Sequence, residues 1–185
     1  MKRDPLLLWT LVAVCAVLLG CSSRAQPISP PPYPPPVTPT LPVAMGSVTG
    51  KIVLQGRMNH EGISVTIGEL PPLVTASDGT FAVLNSVPEG QHRVKAEKPG
   101  YLSAEGDVTI VGSQNKALPT ISLPAGDLNQ DGAVNLFDLV LISNIFGSQD
   151  LESLRSDLNA DGAVNLFDLV LVGNNLDRSG PIPFE

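Results

Sequence analysis

Residues 127–138 read DLNQDGAVNLFD, and residues 157–168 read DLNADGAVNLFD. The two segments differ at one position, where Gln130 in the first copy corresponds to Ala160 in the second. The identity continues for three residues beyond each segment, and the offset between the copies is 30 residues. A fixed period of this length indicates a tandem of one supersecondary unit. The chemistry of this repeat therefore decides the fold of the C-terminal third of the chain.

Each segment has oxygen-bearing side chains at positions 1, 3, 5, 9 and 12 of a 12-residue loop. Calcium is a hard cation that takes about 6–8 oxygen ligands, and a backbone carbonyl at position 7 supplies one of them. A glycine at position 6 (Gly132, Gly162) permits the sharp turn midway. The sequence thus predicts two calcium ions, one in each loop. The predicted ligands are Asp127, Asn129, Asp131, Ala133, Asn135 and Asp138, and Asp157, Asn159, Asp161, Ala163, Asn165 and Asp168.

The surroundings of the loops differ from those of a helix–loop–helix calcium site. Residues 119–126 contain two prolines and a glycine, so they cannot form a helix that enters the first loop. Position 12 is Asp rather than the longer Glu, and the helix that carries it must lie closer to the ion. After the first loop, Leu139, Ile142 and Phe146 follow helical spacing. The sequence therefore predicts a loop followed by a helix in each copy.

A doubled loop–helix pair with Asp at position 12 and no entering helix resembles the type I dockerin family over about residues 126–177. The resemblance implies a small all-α module with three helices, two calcium ions and a partner domain called cohesin in assemblies that degrade plant polysaccharides. Asp150–Ser156 is expected to be a short helix or turn. Val134 and Val164 at loop position 8 are expected to pair the two loops and to face the core. The last residues either pack against Ile121 or Leu123, or fray.

The resemblance also implies a surface that binds the partner. In dockerins, loop positions 10 and 11 contact cohesin together with positions 17 and 18. The Leu–Phe pair at positions 10 and 11 departs from the small hydroxyl side chains usual in the family, and an alternative is that this pair packs inside the module. Because the copies are nearly identical, a partner could dock in two orientations related by a half turn. The predicted contact residues are Leu136, Phe137, Ser143, Asn144, Leu166, Phe167, Gly173 and Asn174.

Residues 47–123 contain short segments rich in β-branched residues and separated by Gly, Pro and Asp turns. Their spacing of about 10 residues predicts a small antiparallel β-sandwich of the transthyretin or Ig-like type. The stretch resembles the carboxypeptidase regulatory-like domain at residues 50–53, 75–81 and 98–101. That family has a carbohydrate-binding-like fold, which implies a polysaccharide as a further ligand. Phe81 and Tyr101 are the candidate aromatic platforms, and core packing is the alternative for both.

The first 46 residues precede these predicted domains. A basic start is followed by an apolar run of about 15 residues, shorter than the roughly 20 that span a bilayer. Leu18–Cys21 resembles the lipobox of bacterial lipoproteins, which implies a signal peptide at residues 1–21 and a lipid anchor on Cys21. An ordinary secretory signal is the alternative. Residues 22–46 are rich in proline and predict an extended linker, which would hold the next domain on the order of 50 Å from the membrane.

The net charge of −7 is unevenly distributed. Residues 124–185 contain ten Asp or Glu and two Arg, a net charge of −8, and the remainder carries +1. Three carboxylates in each predicted calcium loop explain most of this excess, and no nucleic acid is expected as a partner. The cysteines, Cys15 and Cys21, precede the folded region. Calcium rather than a disulfide is therefore expected to stabilise the small C-terminal module at residues 124–185.

No catalytic motif is recognisable in the sequence. The two histidines, His60 and His92, lack a neighbouring nucleophile or metal-ligand pattern, and we expect both to be solvated. The sequence therefore predicts a non-catalytic, calcium-binding dockerin protein, exported and anchored at the cell envelope, that recruits cohesin in polysaccharide catabolism. The alternative is a calcium-stabilised structural or carbohydrate-binding envelope lipoprotein without a cohesin partner.

Overall fold

The structure is a computed structural model that describes residues 43–149 and 153–184. The predicted signal peptide, Cys21 and most of the predicted linker lie outside these residues. The described residues belong to one compact unit of the chain. None of the helices in this part of the chain is long and apolar enough to cross a membrane.

Two β-sheets are formed by the first part of the described chain, which we call the β region (residues 45–123), together with one strand from the C-terminal segment. The strands are β1 (Met45–Leu54), β2 (Ser64–Ile67), β3 (Leu73–Val74), β4 (Thr80–Pro88), β5 (Gly90–Glu97), β6 (Ala104–Ile110), β7 (Asn115–Ala117), β8 (Ile121–Leu123) and, from the C-terminal segment, β9 (Ile182–Pro183). In one sheet, β1 pairs with β4, β7 and β8, and the other sheet has the order β3-β2-β5-β6-β9.

Alternating burial along the strands explains how the two sheets share a core. Successive side chains of a strand point to opposite faces, so every second residue can face inward. In β6, Val108 and Ile110 are buried, whereas Asp107 and Thr109 are exposed. Inward side chains from both sheets belong to one cluster, which includes Val48, Ile52, Val65, Ile67, Val94, Ala96, Val108 and Ile110. Each fully buried Val or Ile side chain of this cluster contributes roughly 1.5–3 kcal/mol of hydrophobic stabilisation.

The sheets are mixed, so the predicted antiparallel arrangement holds only in part. β1 and β4 are antiparallel, but β7 and β8 run parallel to β1, and β9 runs parallel to β6. Parallel neighbours require a crossover connection rather than a tight hairpin. β7 follows β6, which lies in the other sheet, so the chain crosses between sheets before it pairs with β1. A crossover of this kind leaves no hairpin signal in the sequence.

The second part of the chain, which we call the repeat module (residues 124–184), contains two α-helices, as predicted. They are α1 (Leu136–Asn144) and α2 (Leu166–Asn174), and each follows one copy of the repeated loop. The third helical element is a 3-10 helix at Ser153–Ser156, within the segment expected to be a short helix or turn. Phe146 lies beyond the end of α1 and is half exposed, so the helix is shorter than its apolar pattern suggests.

Val134 and Val164 are buried, as expected, but they do not pair with each other. The Val134 amide donates to the carbonyl of Arg178, and the Asp177 amide donates to the carbonyl of Val134, both at 2.8 Å. Val164 makes the equivalent two bonds with residues 147–148. Each loop therefore pairs with the segment that follows the helix of the other copy. Those segments lie outside the repeated motif, which is why the motif alone suggests the wrong partner.

The C-terminal segment packs against the β region. The Ile182 amide donates to the carbonyl of Ser103 at 2.8 Å, and β9 thereby extends the second sheet beside β6. A Cβ added at Gly106 would lie 2.7 Å from Cβ of Phe184, so the small residue allows the tail to approach. The tail is not frayed, which was one of the two outcomes suggested by the sequence. Ile182 and Phe184 pack against the shared core, to which Ile121 and Leu123 belong. The tail also pairs with β6, because the edge of this strand offers free backbone groups.

Leu158 and Leu128 are equivalent residues of the two copies with different burial. Leu158 is fully buried, and Leu128 is half-buried. We predict that Leu158→Ala lowers the free energy of unfolding by about 2–5 kcal/mol because it leaves a cavity in the shared core. Leu128→Ala should cost clearly less. Denaturant unfolding in excess calcium measures both, and equal losses would contradict the structure.

Candidate functional site

The carboxylate at position 1 of each loop accepts hydrogen bonds from backbone amides in the middle of the loop. Oδ1 of Asp127 accepts from the Asp131 amide and Oδ2 from the Gly132 amide, both at 3.1 Å. Asp157 accepts the equivalent bonds in the second loop at 3.2 and 2.8 Å. Gly132 has a φ of 85°, a backbone conformation that glycine adopts without a steric penalty. The glycine at position 6 is therefore needed for the turn, as the sequence predicts.

Position 4 of each loop also has a left-handed backbone. Gln130 has a φ of 59° and Ala160 a φ of 62°. For a residue with a Cβ this conformation costs about 1–2 kcal/mol, which the hydrogen bonds of the closed loop must offset. Neither Gln nor Ala is typical of this conformation, so the sequence carries no signal for it.

The last carboxylate of the first loop joins its two ends. Oδ1 of Asp138 accepts from the amides of Leu128 and Asn129 at 2.9 and 3.3 Å, and Oδ2 accepts from the Asn135 amide at 2.8 Å. The side chain of Asn135 accepts in turn from the Phe137 amide at 2.8 Å. Positions 9 and 12 thus form a capping box, which satisfies amides that α1 leaves free at its start.

The second loop repeats this arrangement. Asp168 accepts from the amides of Leu158, Asn159 and Asn165 at 2.7, 3.2 and 2.9 Å. Asn165 accepts from the Phe167 amide at 2.8 Å and completes the capping box of α2. The two copies therefore have the same internal geometry, and each loop is built as one unit with the helix that follows it.

Four loop carboxylates are buried and form no ion pair among the residues that the structure describes. They are 0–4% exposed: Asp127, Asp138, Asp157 and Asp168. Within the described residues, the ion pairs lie elsewhere, in the β region, and involve Arg93, Lys95, Glu97 and Glu105. A buried carboxylate without a counter-charge costs several kcal/mol, and burial raises the pKa of Asp127. A cation in each loop would remove this penalty.

The carboxylates at position 5 have the opposite environment. Nδ2 of Asn129 donates to Asp131 at 2.9 Å, and this hydrogen bond is the main cause of the lowered pKa of Asp131. Nδ2 of Asn165 plays the same part for Asp161, at 2.8 Å. Both carboxylates are exposed. Exposed carboxylates are ionised at neutral pH, so each loop presents negative charge at its open side.

The donor set of each loop fits calcium. No group of three or more acidic, histidine or cysteine side chains comes close enough to form a metal cluster in the part of the chain that the structure describes. Each loop instead alternates carboxylates with asparagine side chains and carries a carbonyl at position 7. Oxygen-only sets of this mixed kind suit calcium, whereas zinc prefers nitrogen and sulfur ligands. The individual ligand assignments remain predictions.

The predicted partner-binding residues are exposed in both copies. In each Leu–Phe pair, both side chains are between 60% and 72% exposed, so the alternative that the pair packs inside the module is wrong. These residues are Leu136, Phe137, Leu166 and Phe167. The polar and small residues predicted to join them are exposed as well: Ser143, Asn144, Gly173 and Asn174. Large apolar side chains left on a surface in this way mark a potential interaction site.

The histidines and aromatic residues of the β region have structural roles. Nδ1 of His60 accepts from the Leu54 amide at 3.0 Å, and Nε2 of His92 bonds to the carbonyl of Pro88 at 2.7 Å. Both residues are half-buried, so the expectation that they are solvated holds only in part. The aromatic candidates for sugar binding, Phe81 and Tyr101, are buried, which supports the core-packing alternative because stacking requires an exposed ring.

Sequence patterns do not predict the contacts that the β region makes with the second loop. The Arg57 guanidinium donates to the carbonyls of Asp157 and Leu158 at 2.7 and 2.9 Å. The Tyr101 hydroxyl donates to the same Leu158 carbonyl at 2.6 Å. The partners are distant along the chain; Arg57 belongs to no motif, and the resemblance that includes Tyr101 implies no contact with the second loop.

Asn175 is a further buried polar residue at the junction between the two parts. Its Nδ2 donates to the carbonyls of Ala125 and Leu171 at 2.7 and 3.1 Å and also to Gln55. The equivalent residue of the first copy is Ile145. A polar residue where the other copy has an apolar one is the signal that could have identified this position.

Comparison with known proteins gives a family match in the repeat module. The model of the dockerin type I domain matches residues 125–177. No curated protein is significantly similar to the chain.

Solved structures match a larger part of the chain. One match is a chain of the type II Cohesin–X-Dockerin complex from Acetivibrio cellulolyticus, in a variant with a mutated N-terminal interface. That chain is 30% identical to this protein, and the TM-score is 0.62. The match covers 72% of this chain and 97% of that chain. The same complex with a mutated C-terminal interface gives the same identity and coverage and a TM-score of 0.61. The TIE protein of Bacillus anthracis is only 14% identical, over 43% of this chain and 16% of that chain, with a TM-score of 0.37.

Two polar residues of the first loop should differ in their effect on calcium binding. We predict that Asp138→Ala weakens calcium binding at the first loop by roughly tenfold or more. The variant removes a carboxylate ligand from the ion, and it also removes the hydrogen-bond acceptor of three backbone amides. Asn135→Ala should have a clearly smaller effect, because position 9 usually acts through a water molecule. Calorimetric titration of the two variants measures the difference, and equal losses would contradict the assignment.

Proposed function

Because the chain belongs to the dockerin family, we propose that it is a non-catalytic protein that binds two calcium ions and recruits a cohesin-type partner through its repeat module. The observation that supports this most is the doubled unit itself. Each copy joins a loop, whose two buried carboxylates form no ion pair within the described residues, to a helix that begins with an exposed Leu–Phe pair. The loop is suited to a cation, and the start of the helix is suited to another protein.

In this proposal the ligands are the residues at positions 1, 3, 5, 7, 9 and 12 of each loop. Calcium, when bound, supplies the positive charge that the buried carboxylates lack. The carboxylates at positions 1 and 12 fix the loop through backbone amides, and the exposed carboxylate at position 5 remains available from the open side. Because position 12 also caps the helix, calcium binding and the orientation of the helix are linked.

The proposed partner surface consists of the exposed residues of α1 and α2. Leu136 and Phe137 in the first copy, and Leu166 and Phe167 in the second, replace the small hydroxyl side chains usual in dockerins. The cohesin-type partner should therefore present an apolar surface to them, because burial of exposed Leu and Phe side chains favours association. The near identity of the copies allows two docking orientations, in which either pair can serve as the main contact.

We predict that the full chain binds one or more members of a panel of purified cohesin domains, including the cohesin of the A. cellulolyticus complex, in calcium but not in EDTA. Phe137→Ala and Phe167→Ala should each leave substantial binding, whereas the double variant should lose about tenfold or more, because each orientation then lacks its aromatic anchor. Surface plasmon resonance provides the measurement.

Met58→Ala is the matched control for this experiment, because Met58 is 96% exposed but lies in the β region. It should bind as the unaltered chain does. Absence of binding to every cohesin would contradict the proposed partner, and loss of all binding in either single Phe variant would contradict the two orientations.

We further propose that the protein is exported and anchored at the cell envelope through a lipid on Cys21, with the proline-rich residues 22–46 as a spacer. A protein of this design would present its repeat module away from the membrane, in an assembly for polysaccharide breakdown. The support for this part is the lipobox-like sequence before Cys21 and the prolines that follow it.

Cys21→Ala should release the protein from the membrane fraction and abolish incorporation of a labelled fatty acid, because a lipid anchor requires the thiol. Cys15→Ala is the control, since Cys15 lies within the apolar run, and it should leave both properties unchanged. Immunoblots of cell fractions and the label measure the outcome. Retention of label by Cys21→Ala would contradict the anchor.

A second candidate function is structural. The repeat module and the β region share one core and are joined by the hydrogen bonds of Arg57, Tyr101 and Asn175. Calcium would then stabilise a C-terminal cap on the β region, with no cohesin involved. The cohesin panel separates the two candidates, because a cap would take up calcium and bind none of the cohesins.

A further inference from the structure

The start of the second loop is held by two side chains of the β region. Arg57, in the turn after β1, donates from Nη2 to the Asp157 carbonyl at 2.7 Å and from Nε to the Leu158 carbonyl at 2.9 Å. Tyr101 donates its hydroxyl proton to the Leu158 carbonyl at 2.6 Å. The guanidinium carbon lies 5.9 Å from the centre of the Tyr101 ring, within cation–π distance. The two side chains therefore lie side by side and share the Leu158 carbonyl as an acceptor.

These bonds reach the part of the loop where its two ends meet. Asp157 is position 1, and its carboxylate accepts from the amides in the middle of the loop. The Leu158 amide donates to Oδ1 of Asp168, the position-12 carboxylate, at 2.7 Å. Leu158 itself is fully buried. The peptide units that orient the first and last predicted ligands are thus fixed from outside the loop.

The first loop lacks these contacts. In the described part of the chain, no side chain of the β region hydrogen-bonds to the carbonyls of Asp127 or Leu128. The β region contacts the backbone just before this loop, where the Gly126 amide donates to the carbonyl of Gly100 at 2.8 Å. The C-terminal tail contacts the middle of the loop, where the Gly180 amide donates to the carbonyl of Gly132. Positions 1 and 2 differ between the two copies only in these surroundings.

We propose that Arg57 and Tyr101 are positioning residues of the second calcium site. They hold the backbone at Asp157 and Leu158 in the conformation that ligation requires, so that less ordering remains to be done when the ion binds. This inference rests on the proposed function for the identity of the ion. By linkage, calcium in the second loop and packing of the repeat module on the β region strengthen each other.

The hydrogen bonds of Arg57 and Tyr101, rather than the charge of Arg57, would strengthen calcium binding at the second loop. The positive charge of Arg57 would by itself repel a calcium ion in the second loop. Any gain in calcium affinity must therefore come from the two hydrogen bonds that Arg57 donates to the loop backbone. Tyr101 is neutral when protonated, as a phenol is at neutral pH, and its hydroxyl donates to the Leu158 carbonyl. Variants that keep the charge and remove one hydrogen bond test the idea directly.

The test uses the full chain in two backgrounds that each leave one loop intact. Asp131→Ala removes a predicted ligand of the first loop, and Asp161→Ala removes the equivalent ligand of the second; both side chains are exposed. Tyr101→Phe and Arg57→Lys are then added to each background. Tyr101→Phe removes only the hydroxyl, and Arg57→Lys keeps the charge but loses the bidentate geometry. Calorimetric titration with calcium chloride gives the affinity of the remaining loop.

We expect Tyr101→Phe to weaken calcium binding about fivefold when only the second loop is intact, as the loss of one hydrogen bond predicts. Arg57→Lys should have an effect of similar size. Neither change should alter the affinity by more than about twofold when only the first loop is intact. The rise in melting temperature on addition of calcium should shrink in the second-loop background alone, a readout that does not depend on calorimetry.

Equal losses in both backgrounds would overturn the inference, because they would indicate general destabilisation of the fold. Unchanged affinity of the second loop in both variants would also overturn it. If neither background takes up calcium, the proposed function fails, and this inference with it. Calcium binding by both backgrounds without a selective effect leaves the proposed function intact and removes only the role of Arg57 and Tyr101.

Discussion

One buried carboxylate at the end of each loop holds the repeat module together. Asp138 accepts hydrogen bonds from the amides of Leu128 and Asn129 at the start of the loop and from Asn135 at the start of α1. The side chain is fully buried, so its negative charge has to be compensated within the loop. Loop closure, helix initiation and the demand for a cation therefore follow from a single residue, which Asp168 repeats in the second copy.

The repeat module depends on its surroundings because its helices are short. Each helix has nine residues, fewer than the roughly 12–15 below which isolated helices are marginal in water. The structure provides support through the capping boxes, the hydrogen bonds between the copies and the packing on the β region. Asn175 shows the importance of the last of these, since a fully buried amide there connects α2 to the residues just before the first loop.

Features with local signals could be predicted from the sequence. The loop residues and the capping side chains lie within one motif, and the strands with alternating burial, such as β6, show their pattern directly. The parallel pairing of β1 with β7 and with β8 could not be predicted, because β1 lies far from both strands in the sequence and no turn connects them. The contacts of Arg57 and Tyr101 with the second loop could not be predicted for the same reason, since their partners lie 100 and 57 residues away.

The exchange of backbone hydrogen bonds between the copies has a consequence for the length of the repeat array. Val134 pairs with residues 177–178, and Val164 pairs with residues 147–148, so each unit completes its neighbour and is completed by it. The pairing is reciprocal and involves only these two units. A single unit would be left without a partner segment, and a third would find none available. Duplication of an ancestral unit would therefore reach a stable product at two copies, and the array would have no means to grow as an open-ended solenoid does.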